Sequence, residues 1–218
     1  MLYAWQKRLL GNVVPVKIIF DEAGQFTQQL DAGLWKFTLI GGGGGGALVK
    51  NPGTNAIYWA RGGVGGTLQA IVNLPFAQEI TINVGSFGLS NTNFGGTATG
   101  TVGQKTTITG INGVTLEAGF GTGATITQSG YTGTRTAGTQ GQNIVIGAKQ
   151  IIINNNNIIT STTGAPSVVS QPSRTPTGQK NTNWKTDQTK GQGGDCGWQG
   201  RNYLKLNGGP GFVMIENA

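Results

Sequence analysis

The residues able to do chemistry are few and scattered. The chain has no histidine, one cysteine and eight carboxylates. The carboxylates are Asp21, Glu22, Asp31, Glu79, Glu117, Asp187, Asp195 and Glu216, dispersed along the sequence. General acid–base catalysis needs titratable groups held side by side. A glycosidase pair would have to be assembled across space from this set, with no local signature to announce it. Turn chemistry explains Asp21, Asp31 and Asp195 more simply. Cys196 has no imidazole to activate it and no second cysteine for an internal disulfide. Clustered metal ligands are not evident. The expectation is a protein that is not an enzyme and carries no cofactor, no metal and no catalytic residue.

Glycine runs after strands invite a phosphate-binding reading. Here Gly41, Gly42, Gly43, Gly44, Gly45 and Gly46 are followed by Ala47-Leu48-Val49-Lys50-Asn51-Pro52. A P-loop needs its lysine and hydroxyl directly after the last glycine, at the start of a helix. This lysine comes late, no hydroxyl follows it, and Pro52 stops a helix. A dinucleotide fingerprint also needs a helix, and none is foreseen.

Recognition is what remains. Tyr58, Trp59 and Arg61 form one aromatic–basic set, expected on a loop from 50 to 61. Trp184, Lys185, Trp198, Arg201 and Tyr203 form a second, in or beside the polar stretch from 163 to 205. Aromatic faces stack on sugar rings and apolar epitopes, and arginine adds directional hydrogen bonds. The competing role is structural: Trp198 and Tyr203 anchoring the loop to the core.

The elements that would position these groups are β-strands. Leu34-Trp35-Lys36-Phe37-Thr38-Leu39-Ile40 alternates large residues with polar ones and runs directly into the six glycines. Ile80-Thr81-Ile82-Asn83-Val84 alternates in the same way. Strands and turns at roughly ten-residue spacing predict an antiparallel sandwich or jelly roll. Residues 2–10 read as a short amphipathic helix, too short to stand alone. Residues 85–141, punctuated by glycine and threonine, read either as stacked short segments or as one long loop. Two strands joined by an asparagine turn are predicted within 143–160, with an adhesive isoleucine edge that pairing to a neighbour would cover.

Glycine supplies 40 of 218 residues, while charged residues are only 11%. That charge share is far below the usual quarter or so, which argues against a disordered chain. Six consecutive glycines lose the most backbone entropy on ordering and bury no side chain. If they are ordered, bare backbones must pack on one another in an extended, three-residue-per-turn, polyglycine II-like geometry. Gly62, Gly63, Gly65 and Gly66 form a second such tract. The net charge of +7 comes from scattered basic residues, Lys7-Arg8 being the only adjacent pair, with no stripe for nucleic acid. No segment is long enough and apolar enough to span a membrane, and no signal peptide is visible.

The ordered series Trp35 to Gly46, Gly62 to Gly66, Glu79 to Gly88 and Gly208 to Ile215 resembles the glycine-rich domains of bacteriophage tail fibres and receptor-binding tips. The resemblance covers roughly residues 13–100 and 200–216 and thins between 140 and 200. It implies a jelly-roll-like sandwich with polyglycine helices packed beside the sheets. The expected organisation is an N-terminal docking arm, 1–12, and an all-β glycine-rich domain, 13–218, with a polar insertion at about 163–200. The expected protein is a tail-fibre tip or adhesin in a homo-oligomer, at a virion or extracellular surface. Its loops would touch a host cell-surface glycan or protein, and its arm would dock on a larger particle or neighbouring subunit. The alternative is a filament or sheath subunit assembled by exchange of β-strands.

Overall fold

A computed structural model describes residues 16–130, 132–146, 167–169, 190–191, 193–199 and 202–217. Among them there is no helix, and the strands form several sheets in a sandwich-like arrangement. The predicted 2–10 helix, the asparagine turn and the Ile151–Ile153 edge lie outside the described residues.

The chain begins with β1 (Lys17–Phe20), β2 (Gly24–Leu30) and β3 (Gly33–Ile40). From β3 onward it repeats one excursion. Residues 41–46 lead out to β4 (Ala47–Lys50); β5 (Ile57–Ala60) returns through 61–66 to β6 (Thr67–Leu74). β7 (Gln78–Val84) leads out through 85–90 to β8 (Asn91–Phe94), and β9 (Thr97–Thr99) returns through 100–105 to β10 (Thr106–Ile111). β11 (Val114–Ala118) leads through 119–124 to β12 (Thr125–Ser129), and β13 (Thr132–Thr136) returns through 137–142 to β14 (Asn143–Ile146). After β15 (Ser167–Val169), residues 190–191 and 193–194 lead out to β16 (Asp195–Gln199). β17 (Asn202–Leu206) then returns through 207–211 to β18 (Phe212–Asn217).

Each excursion starts and ends in a large sandwich. Its four-stranded sheet has the order β1-β18-β3-β6, and its six-stranded sheet the order β15-β14-β11-β10-β7-β2, with every pairing antiparallel. Alternation drives the packing. Trp35, Phe37, Leu39, Val213 and Ile215 from one sheet meet Ile80, Ile82, Val84, Ile108 and Leu116 from the other in a single core. Fully burying a side chain of this size contributes about 1.5–3 kcal/mol. One expected polar-outward position differs: Thr38 is buried as well.

The far turn of each excursion lies in a small pole. There β5-β4-β8 form one sheet, with β4 and β8 parallel, and β13-β12-β9 form another. Ala47, Val49 and Ala60 pack on Ala98, Ala124 and Ile126 between them. The β16-β17 ladder lies on the opposite side, β16 against β4 and β5 and β17 against β8.

Between the poles the outgoing and returning segments are neither strand nor helix. Residues 41–46 are buried throughout and form the axis. Their amides point in turn at three neighbours. Gly41 and Gly44 donate to Gly66 and Gly63 (2.9 and 2.8 Å), Gly42 and Gly45 to Gln104 and Thr101 (2.8 and 2.8 Å), and Gly43 to Gly209 (2.9 Å). Their carbonyls point at the other three. Gly42 and Gly45 accept from Gly121 and Ala124 (2.9 and 2.9 Å), Gly43 from Gly88 (2.7 Å), and Gly44 from Gly194 (2.6 Å).

Partners recur every third residue, so six segments surround the axis. They also bond to one another around it. Gly63 donates to Thr122, Gly103 to Gly121, Gln104 to Ser86, Gly208 to Gly88, Gly191 to Pro210 and Gly62 to Gly194. The eighth segment, 137–142, sits outside this ring against 61–66 and 119–124.

Glycine content follows the number of neighbours. The axial segment, enclosed on all sides, has no side chain. A Cβ on Gly42 would land on the Ser86 carbonyl, one on Gly44 on that of Thr122, and one on Gly45 on that of Leu89. Segment 61–66 touches four others and reads x-Gly-Gly-x-Gly-Gly. Segments 85–90 and 100–105 each touch three others, and each keeps glycine at one position in three: Gly85 and Gly88, Gly100 and Gly103. Ordering glycine rather than alanine costs roughly 0.5–1 kcal/mol per residue. A satisfied hydrogen bond returns about 1 kcal/mol net, and all six axial amides are paired, five with backbone carbonyls and Gly46 with Ser90.

Side chains seal the joints where three-fold packing gives way to two-fold strands. Thr106 is fully buried; its hydroxyl donates to the Ile40 carbonyl (2.7 Å) and accepts from the Gly85 amide (3.0 Å). Asn143 donates to Thr67 (2.6 Å) on the same side, and Ser90 accepts from Gly46 (2.7 Å) at the small pole. Thr106→Val keeps the shape and strands both groups. It is expected to cost about 2 kcal/mol, read from the urea midpoint at unchanged m-value; a loss under about 0.5 kcal/mol would mean the seal is not needed.

Several sequence expectations change here. Residues 50–60 are a strand–turn–strand unit, not a loop. Of the two readings of residues 85–141, the described residues form the stacked segments, with strands between them. The polar stretch 163–200 contains β15, β16 and part of the array rather than loop alone, and the glycine pattern continues through 137–142, 190–191 and 193–194, where it was expected to thin.

Candidate interaction surface

The small pole carries the turns that can be remodelled without touching the array. Residues 51–56 join β4 to β5, Gly95-Gly96 join β8 to β9, and Gly130 begins the connection from β12 to β13.

Asn51 organises the first turn. It is 2% exposed, its Oδ1 accepts from the amides of Gly53 (2.8 Å) and Thr54 (3.2 Å), and its amide donates to Ala56 (2.8 Å). This is an Asx-type turn. Asn55 completes it in the left-handed region, at φ 56°, which asparagine tolerates better than most residues.

The turns are tied to each other. Asn51 Nδ2 donates to the Gly130 carbonyl (2.8 Å), and Gln128 Nε2 donates to the same oxygen (2.6 Å). The Gly95 amide donates to Lys50 (2.9 Å), and the Gln128 amide to Gly96 (2.8 Å). Gly95 and Gly96 both have φ +72°, so two residues suffice to pass the chain from one sheet to the other. The pole is therefore pre-organised. A surface already ordered loses little entropy when it engages a partner.

Cations sit over aromatic rings on this pole. Lys50 Nζ lies 5.9 Å from the Phe94 ring centroid, Arg61 Cζ 5.8 Å from Trp59, and Arg135 Cζ 5.7 Å from Tyr58. These are cation–π distances. Lys50 and Phe94 are cross-strand partners, and Phe94 is 63% exposed.

Of the expected binding residues, Tyr58, Trp59 and Arg61 lie together at this pole, though Tyr58 and Trp59 sit on β5 rather than on a loop. Adjacent strand residues face opposite ways, so the three do not form one face. Tyr58 packs on the small core and over Gly133, whereas Trp59 lies opposite Leu48 on the side that β16 covers. Trp198 and Tyr203 are direct partners in the β16-β17 ladder, which also belongs to this pole. Trp184, Lys185 and Arg201 lie outside the described residues. Gly41 to Gly46 and Gly62, Gly63, Gly65 and Gly66 build the array.

Lys50 and Asn51 fall within the expected 50–61 stretch, whereas Phe94 and Arg135 are not among the expected contact residues. Lys50-Asn51-Pro52-Gly53 carries a turn signal, but nothing local joins it to Phe94 or Arg135, which come from other excursions.

Among the described residues no three His, Cys, Asp or Glu side chains gather in metal-ligating range, and no helix is long and apolar enough to cross a membrane. No protein-family model matches the chain, and no curated protein matches it in sequence.

Proposed function

We propose that this protein is a non-enzymatic binding tip of the kind carried by phage tail fibres. In this reading it works in a homo-oligomeric assembly at a virion or extracellular surface and touches a host-cell receptor through its small pole. The eight central segments are polyglycine II-type helices serving as a rigid spacer.

One observation carries the proposal: the two poles are unlike. The described chain leaves the large sandwich at its outer end, where the Val16 amide donates to Asn217 Oδ1 (2.9 Å) and Asn217 donates back to Val16 (3.3 Å). The interlocked turns with Lys50, Phe94, Tyr58 and Arg135 lie at the opposite end, beyond the array. Attachment at one end and contact at the other suits a tip. Several copies would make weak single contacts add up.

The test is adhesion of labelled protein to a panel of bacterial strains. Replacing Pro52, Thr54 and Phe94 with Ser, with Asn51 and Asn55 kept to hold the turn, is expected to abolish binding at little-changed melting temperature. Phe76→Ser, in the turn between β6 and β7, is expected to leave binding intact. The opposite pattern would move the contact surface to the large sandwich. Long fibres in electron micrographs of the pure protein would favour the filament reading instead.

A further inference from the structure

We infer that the small pole is built for an anionic glycan: a polysaccharide whose sugars carry carboxylate or phosphate groups. This rests on the proposed binding role and names the chemistry of its ligand.

Charge is segregated along the molecule. In the large sandwich and at its border with the array, carboxylates stand beside the cations. Lys17 and Lys36 both approach Glu216 (4.0 and 3.6 Å), Lys105 pairs with Glu117 (2.9 Å) and Lys190 with Asp21 (3.9 Å). Glu22, Asp31 and Glu79 lie in the same half. At the small pole and its border with the array, the described residues include one carboxylate residue, Asp195, and four cationic ones, Lys50, Arg61, Arg135 and Lys205. Among the described residues the positive balance therefore lies at the end that holds the interlocked turns.

The cations come with rings. Strand register sets Lys50 over Phe94, Arg61 follows Trp59 by two residues and lies over its ring, and Arg135 of β13 meets Tyr58 of β5 across the two small sheets. Phe94, 63% exposed, offers an aromatic surface for the apolar face of a sugar ring, and the cations of the same pole take the acid groups that the sugars bear. The guanidinium groups of Arg61 and Arg135 suit carboxylate and phosphate oxygens through paired N–H donors.

The spacing favours sugars over nucleic acid. A nucleic-acid surface needs a continuous basic track to follow closely spaced phosphates. Here the pairs occupy different strands and different faces: Lys50 and Phe94 on one side of the β5-β4-β8 sheet, Tyr58 and Arg135 on the other. An acidic polysaccharide, with charges separated by whole sugar rings, matches such dispersed points.

The experiment measures binding of the full chain to immobilised polygalacturonate (carboxylated), wall teichoic acid (phosphorylated), neutral dextran and a single-stranded oligonucleotide. It is run at low and physiological salt. One or both acidic polysaccharides are expected to bind at least about tenfold more tightly than dextran, with affinity falling as salt rises. Which one binds decides between carboxylate and phosphate.

The triple variant Lys50→Gln, Arg61→Gln, Arg135→Gln is expected to lose at least about tenfold, while Lys17→Gln, Lys36→Gln at the other pole loses nothing. Arg135→Gln alone, at an exposed position, gives a smaller loss in the same direction should the triple variant fail to fold. Equal binding to dextran, an unaffected small-pole variant, or preference for the oligonucleotide overturns the inference. Cell adhesion that survives the triple variant but not the turn replacement would overturn it while leaving the binding-tip role intact.

Discussion

Gly44→Ala is expected to yield no folded protein. The added methyl would meet the carbonyl groups of Thr122 and Gly121, both backbone. No rotamer relieves a clash with backbone. Moving residues 119–124 aside would break the bonds Gly121 makes to Gly42 and Gly63 makes to Thr122, since both use that segment. Ordinary overpacking in a core costs about 1–3 kcal/mol. Here relaxation is blocked around a closed ring, so the cost exceeds about 3 kcal/mol, a large share of a typical 5–15 kcal/mol. Soluble yield and thermal melting by circular dichroism report it. Gln104→Ala, at an exposed position of the ring, is expected to change stability by no more than about 0.5 kcal/mol. A Gly44→Ala protein that melts within a few degrees of the parent would show the axis to be loosely packed.

Phe37→Ala carries the second large effect. Phe37 is wholly buried in β3, between Ile215 of β18 and Ala70 of β6. Truncating a buried phenylalanine costs about 3–5 kcal/mol. The consequence reaches beyond the core. β3 runs without a break into the axial glycines, and their register depends on where Ile40 sits; Thr106 clasps the Ile40 carbonyl. Amide exchange at Gly41–Gly45 is therefore expected to be as slow as that of Phe37 in the parent protein, and to speed up in step with it in the variant. Fast exchange at the glycines in both proteins would mean that the array opens independently of the sandwich.

The two halves of the architecture were unequally legible. The strands of the large sandwich announce themselves by alternation. Leu34 to Ile40 and Ile80 to Val84 are strands because their apolar residues recur with period two and find a facing sheet. The glycine tracts admit two readings from sequence, a flexible loop or packed backbone, and the hydrogen bonds of Gly41 to Gly45 to other segments are those of packed backbone. Their three-dimensional order was not legible. Gly85, Gly88, Gly100 and Gly103 look like ordinary turn punctuation until the segments stand side by side, and only then does one glycine in three mark the side facing the axis.

The candidate surface was the least legible part. Tyr58, Trp59 and Arg61 drew attention as a local cluster, yet alternation on β5 sends the two rings to opposite faces. Lys50, Phe94 and Arg135 are far apart in sequence and individually unremarkable. Their proximity to rings and turns comes from strand register set across several excursions.

Composition and local pattern by themselves determined that this chain is all-β and glycine-rich, because side-chain period and backbone entropy act within a few residues. Tertiary structure alone decided which segment is the axis, which glycines face it, and which cations share the far pole. Those outcomes depend on hydrogen bonds between segments that are distant along the chain, and no local pattern encodes which of many similar segments will be neighbours.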